Sequence, residues 1–149
     1  MKLYKALKLR KGLLGEINKL KQEIKQNNSY LVGSKNSERY DVKEAYSKLC
    51  ERINDLVDLK NVINEANREI QHKIYFLSEY KALIAFLNDV SVNEGSQAIG
   101  YSDQIREYAV HMDEKEIKKQ IADFQTEVDA LQDEIDEFNH TKDVSWSDE

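Results

Sequence analysis

The chain contains no proline and only five glycines in 149 residues. Helices therefore meet few intrinsic breaks, and an α/β enzyme built on Gly- and Pro-rich turns is disfavoured. A single cysteine, Cys50, excludes an intramolecular disulfide and any Cys-x-x-Cys metal site. Long apolar runs are missing too: the longest, ALIAFL at 82–87, is far short of the roughly 20 residues that cross a bilayer. The N-terminal stretch MKLYKALKLRKGLLGEINKL is interrupted by lysines and lacks the apolar block of a signal peptide. A cytoplasmic location is expected from these absences. Also lacking are HExxH, GxSxG, a phosphate loop and GxGxxG.

What the chain does have is charge and heptad spacing. Charged residues make up 34% and hydrophobic ones 40%. The net charge of −6 is unevenly placed. Residues 1–30 carry eight Lys or Arg and two acids, and residues 113–149 carry four Lys and thirteen acids. A basic first helix and an acidic last helix suggest a pair, within or between subunits.

Periodicity predicts four long helices, at about 2–28, 41–67, 73–90 and 113–139. Asp41 with Glu44, and Asp113 with Glu116, have the form of capping boxes. In the second helix Tyr46, Leu49, Ile53, Leu56, Lys60, Ile63, Asn67 and Ile70 alternate by three and four, with Lys60 and Asn67 as polar seam positions. A turn is expected near 67–73. The third helix, IYFLSEYKALIAFLNDV, is apolar on most of its circumference, so it is expected at the centre of the fold or of an oligomer. Residues 91–104 read as loop, and alternation in IREYAVHMD predicts a short strand or extended arm near 101–112. Such a lone strand needs a partner, for which the same segment of another subunit is a candidate. The last helix carries the cleanest seam: Ile117, Ile121, Phe124, Val128, Leu131, Ile135 and Phe138. Burying these seven residues contributes on the order of 10 kcal/mol. The first helix is its expected internal partner, with Lys19, Lys21 and Lys25 facing Asp129, Asp133 and Asp136. The tail, 140–149, is expected to be partly disordered.

The fold class is thus mainly all-α: one domain, 1–149, of long antiparallel helices in a coiled-coil-like bundle with a short β arm, associating as a dimer or higher oligomer. His72, His111 and His140 have no ligand spacing, so no metal or cofactor is expected, although His111 lies near Asp113, Glu114 and Glu116. Cys50 beside Leu49 reads as a small half-buried hydrophobe before it reads as a nucleophile. The first helix, with Lys2, Lys5, Lys8, Arg10 and Lys11, could track phosphates or lie on a membrane, but the acidic last helix offers neutralisation instead. Tyr75, Tyr80, Tyr101 and Tyr108 read as interface residues, each an apolar ring with a wet hydroxyl.

Several stretches together resemble a family of small bacterial proteins of uncharacterised function, often labelled septicolysin. The start MKLYKALKLRKGLLGEINKLKQEI is similar to the family's opening. INEAN, Ile63 to Asn67, resembles its Ile-Asn-x-x-Asn. YSDQIREY, with Tyr101, Ser102, Ile105 and Arg106, resembles its Tyr-Ser-x-x-x-Ile-Lys pattern. LQDEIDEFNHTKD resembles its closing helix. EIQHKIYF stands where the family has a Gly-containing turn. The resemblance implies a helical, coiled-coil, oligomeric protein; the septicolysin label implies a pore-forming toxin. Asn64, Asn67, Tyr101, Ser102 and Arg106 thereby join Tyr75, Tyr80 and Tyr108 as candidate interface or pocket residues. The function expected is a non-enzymatic, self-associating protein acting through protein contacts. The alternatives are a membrane-active or nucleic-acid-binding module using the first helix, and a metal- or ligand-binding enzyme using His111, its acidic neighbours and Tyr101.

Overall fold

The computed structural model describes residues 1–98, 100 and 104–146. It is mainly helical: α1 (Leu3–Asn27), α2 (Lys35–Arg39), α3 (Val42–Asn67), α4 (Gln71–Asp89) and α5 (Glu114–Thr141). Two short strands, β1 (Gly95–Ala98) and β2 (Ile105–Tyr108), lie between α4 and α5. Local chemistry accounts for the helix starts. The Asp41 carboxylate accepts from the Glu44 amide at 3.0 Å and that of Asp113 from the Glu116 amide at 2.8 Å. Each satisfies an amide that the first helical turn leaves without a partner. Between α3 and α4 the helix is interrupted at residues 68–70.

Where the sequence leads one to expect a single domain, the chain divides into two compact units. The first comprises Met1–Glu69 and Glu137–Glu149, the second Ile70–Asp136.

In the first unit α1 packs against α3. The pairing is antiparallel: Glu16 lies 3.0 Å from Arg52, and Glu23, later in α1, accepts from the hydroxyl of Tyr40, just before α3. The core is aliphatic, with Leu3, Ala6, Leu13 and Ile17 from α1 meeting Leu49, Leu56, Leu59, Ile63 and Ala66 from α3. The alanines leave room for close approach of the two backbones. Gly12 and Gly15 serve no such purpose, since a Cβ at either would touch nothing. They weaken α1 by about 1 kcal/mol each without a packing return.

The buried row of α3 corrects the expected seam. Leu49, Leu56, Ile63 and Ile70 are buried as expected, but the second inward row is Ala45, Arg52, Leu59 and Ala66. It is displaced by one residue from Tyr46, Ile53, Lys60 and Asn67. Tyr46 and Ile53 are exposed, as is Lys60, while Asn67 is half-buried. The polar residue in the seam is therefore Arg52, whose Nη1 donates to Asp55 at 2.8 Å while its Nε faces Glu16 of α1. A charged side chain tied across two helices disfavours sliding of one along the other.

The tail is docked through Trp146, and the last residues of the stretch expected to be partly disordered, 147–149, lie outside the described residues. Val144 is buried and Trp146 packs on the core. The Val144 amide donates to the Met1 carbonyl at 2.8 Å, and the Met1 ammonium donates to the Val144 carbonyl at 3.0 Å. The Leu3 amide reaches the Lys142 carbonyl at 2.9 Å. Lys2 Nζ donates to the Thr141 carbonyl and to Asp143 Oδ2, at 2.9 and 2.8 Å. Lys2 and Asp143 also form a short antiparallel bridge.

The second unit is a helical hairpin. The seam of α5 meets α4: the Phe124 ring lies 5.1 Å from the Tyr80 ring, and Lys73 pairs with Glu134. Within this unit the partner of α5 is α4, where the first helix was expected; the last turn of α5, in the first unit, meets α1, with His140 stacked on Tyr4 at 4.7 Å. Ile117, Val128 and Ile135 are buried, and Ile121, Phe124 and Leu131 half-buried. Every position of the seam from 117 to 135 is thus at least partly covered, as a heptad row requires.

The strand expectation is corrected in both extent and partner. β2 stops at Tyr108, and it pairs antiparallel with β1 of the same chain, Gly95 opposite Tyr108 and Ala98 opposite Ile105. β1 lies in a stretch expected to be loop. Gly95, with φ 84°, enters β1 in a conformation that other residues rarely adopt.

Candidate functional site

Among the described residues no three His, Cys, Asp or Glu side chains converge as a metal ion would require. His111 lines an open depression of about 340 Å³ at the base of the β-hairpin, with Val90, Asn93, Tyr108, Val110 and Met112. Its lining is mostly apolar, and no carboxylate contributes to it. A second groove, of about 380 Å³, lies where the tail crosses α3, between Glu65, Glu69 and residues 142–145. Lys142 pairs with Glu69 there. The Tyr40 hydroxyl donates to Glu23 at 2.6 Å, and that hydrogen bond, with partial desolvation, pushes its pKa up to about 12. Tyr40 is therefore a structural tie and not an acid–base group near neutral pH.

The conspicuous surfaces are apolar. α4 is the most hydrophobic helix of the chain, yet Leu87 is its single buried residue. Tyr75, Phe76 and Phe86 are 64%, 50% and 62% exposed. Tyr75, Ala82 and Phe86 recur at helical spacing along the side away from the Tyr80 row. A second open row runs along α3, through Tyr46, Cys50, Ile53 and Val57. Ile105 of β2 is 70% exposed, and the sheet has two strands, so each leaves one edge unpaired.

The residues singled out from the sequence fall as follows. Tyr75 stands open on α4. Tyr80 is half-buried between Phe76 and Phe124. Arg106 and Tyr108 share β2, with Arg106 opposite Gln97. Asn64 is exposed on α3 and Asn67 is that helix's half-buried last residue, both in the first unit. Tyr101 and Ser102 lie outside the described residues. Sequence reasoning did not single out Phe86, Leu31 or Val32. Phe86 was hidden by the assumption that an all-round apolar helix is all-round buried. Leu31 and Val32 were hidden by their place in a Ser-, Asn- and Gly-rich loop.

Comparison with known proteins finds no matching family model, no matching curated protein and no matching solved structure.

Proposed function

We propose that the protein is a non-enzymatic, self-associating helical protein that acts through protein contacts, with the open side of α4 as its principal interface. One observation carries this reading: the most apolar of the four long helices buries only Leu87. Large exposed aromatic side chains such as Tyr75 and Phe86, on a helical row that also carries Ala82 and Glu79, lose water contact at a gain of roughly 25 cal/mol per Å² when another row covers them. The β-hairpin of the same unit, with Ile105 exposed and its edges open, offers further apolar surface. A reducing compartment, the cytoplasm, suits the lone exposed Cys50. The resemblance to the septicolysin-labelled family points the same way, toward an oligomeric helical protein of uncharacterised role.

Sedimentation velocity over a micromolar concentration range tests this. A dimer or larger species is expected, with Tyr75→Glu and Phe86→Glu shifting the mass toward the monomer while the helical circular dichroism signal persists. A compact wild-type monomer at those concentrations overturns the reading.

A further inference from the structure

The loop between α1 and α2 presents apolar side chains that its own geometry does not need. The Ser34 amide donates to the Leu31 carbonyl at 2.9 Å, closing a four-residue turn. Gly33 holds φ 92° at its third position, as a type II turn requires. That geometry asks for glycine at 33 and for nothing aliphatic at 31 or 32, where turns commonly carry polar residues. Yet Leu31 and Val32 stand there 82% and 87% exposed, the two most exposed large apolar side chains among the described residues, with Tyr30 beside them at 48%. A lone exposed leucine needs no explanation; three consecutive apolar residues on one projecting turn do.

The surroundings are basic. Between Lys19 and Arg39 the chain has five Lys or Arg and two Glu. One of those acids, Glu23, is engaged by Tyr40 and Lys19; the other is Glu38 in α2. Lys21, Lys25, Lys35 and Arg39 are exposed and form no ion pair among the described residues. The feature also differs in shape from the open rows of α3 and α4. Those are long helical stripes suited to another helix, whereas this is a single short turn with its apolar side chains almost fully in solvent.

We propose that the Tyr30–Val32 turn inserts into the surface of an anionic lipid bilayer, with Lys21, Lys25, Lys35 and Arg39 on the headgroup phosphates. The order of chemistries matches that surface: aliphatic side chains at the tip for acyl chains, a tyrosine behind them for the interface, and unpaired cations around the base. Gly33 holds the tip in place before contact, which lowers the ordering cost of insertion. With one turn per chain the attachment is reversible and salt-sensitive, and copies held together strengthen it by avidity. The proposal does not depend on the α4 interface, which lies in the other unit.

Co-sedimentation with sucrose-loaded vesicles tests it, using phosphatidylcholine alone and a phosphatidylcholine–phosphatidylserine mixture. Binding to the mixture at low salt is expected, about ten-fold or more weaker to phosphatidylcholine alone. Leu31→Asp with Val32→Asp should lower it by about ten-fold or more, with thermal unfolding unchanged because neither side chain is packed. Lys35→Glu with Arg39→Glu should weaken binding and flatten its salt dependence. The proposal falls if wild-type protein binds neither vesicle, if it binds both equally, or if the Leu31/Val32 variant binds like wild type. It also falls if that variant loses self-association while vesicle binding is retained, since the turn would then serve a protein partner. Loss of the proposal on any of these grounds leaves the sedimentation result for the Tyr75 and Phe86 variants standing.

Discussion

The two units solve the same problem, hiding apolar rows on paired antiparallel helices, with different completeness. In the first, small and branched aliphatic residues pack two helices closely, and a docked tail closes the end with Val144 and Trp146. Leu3 and Leu59 are wholly buried. In the second, Ile70, Leu87, Ile117, Val128 and Ile135 are buried but form no continuous cluster, and contact between α4 and α5 is carried by larger groups such as Tyr80 and Phe124. Two helices alone cover about one face each. The first unit has polar outer faces over much of α1 and leaves the α3 row of Tyr46, Cys50, Ile53 and Val57 open on its paired helices. The second has α4, which is apolar on more faces than a single neighbour can cover. Open apolar surface is then a consequence of composition and helix number.

The largest effects should come from isoleucines matched between the units. Ile63→Ala in the first unit should cost 2 kcal/mol or more, toward the upper end of the roughly 2–5 kcal/mol seen for deep aliphatic truncations. Ile135→Ala, buried to a similar degree but with fewer buried neighbours, should fall near the lower end. Urea denaturation monitored by circular dichroism, with amide exchange to assign each loss to its unit, measures both. Equal costs would erase the distinction between a closed core and an open seam.

A smaller effect tests the pairing in the second unit directly. The rings of Tyr80 and Phe124 are tilted by 59° at 5.1 Å, a favourable edge-on arrangement. A double-mutant cycle with Tyr80→Ala and Phe124→Ala should return a coupling of about 0.5–1.5 kcal/mol. A coupling of zero would mean that the α5 seam has a different neighbour.

Legibility in the sequence followed the strength of the local signal. The four long helices were readable because periodicity and an aspartate before each of two of them agreed, and no proline or long loop intervened. The α3 seam was misread by one residue for a physical reason. That helix has two apolar rows sharing Leu49 and Leu56, and only packing against α1 decides which row turns inward. Nothing in the sequence marks Arg52 as an inward residue, because its partners Glu16 and Asp55 are 36 positions upstream and three downstream, and only the first lies on the other helix. The β-hairpin was half-legible: IREY alternates, but GSQA carries no strand-forming side chains, and its pairing comes from the turn and from β2. The tail was illegible for a similar reason. VSW, residues 144–146, has little intrinsic order, and its docking depends on Met1 and Leu3, almost the whole chain away. Of the candidate surface, the tyrosines were visible as residue types, while the exposure of Phe86, Leu31 and Val32 required knowing what fails to cover them.

The closure of the first unit has one part that pH can release on its own. Asp143 accepts from Lys2 at 2.8 Å, and that hydrogen bond, with the nearby ammonium charges, holds its carboxyl below the ordinary value of 3.8. A carboxylate whose folded pKa is depressed favours the folded state above its unfolded pKa. The contribution is therefore complete above about pH 5, fades as the pH falls through 3.8, and is gone below the lowered folded value. The pair is exposed, so salt screens it and the effect is the smallest of the three. Other carboxylates titrate in the same range, and Asp143→Asn isolates this one. The wild-type minus variant difference in denaturation midpoint should be constant from pH 8 to about pH 5 and shrink toward zero below pH 3.8, more weakly at high salt. A difference that persists at acid pH would show that the clasp rests on the backbone bonds of Met1, Leu3 and Val144 with no share from the charge pair. The second unit contains no such terminal clasp, so amides in α4 should show no Asp143-dependent change in exchange across the same titration.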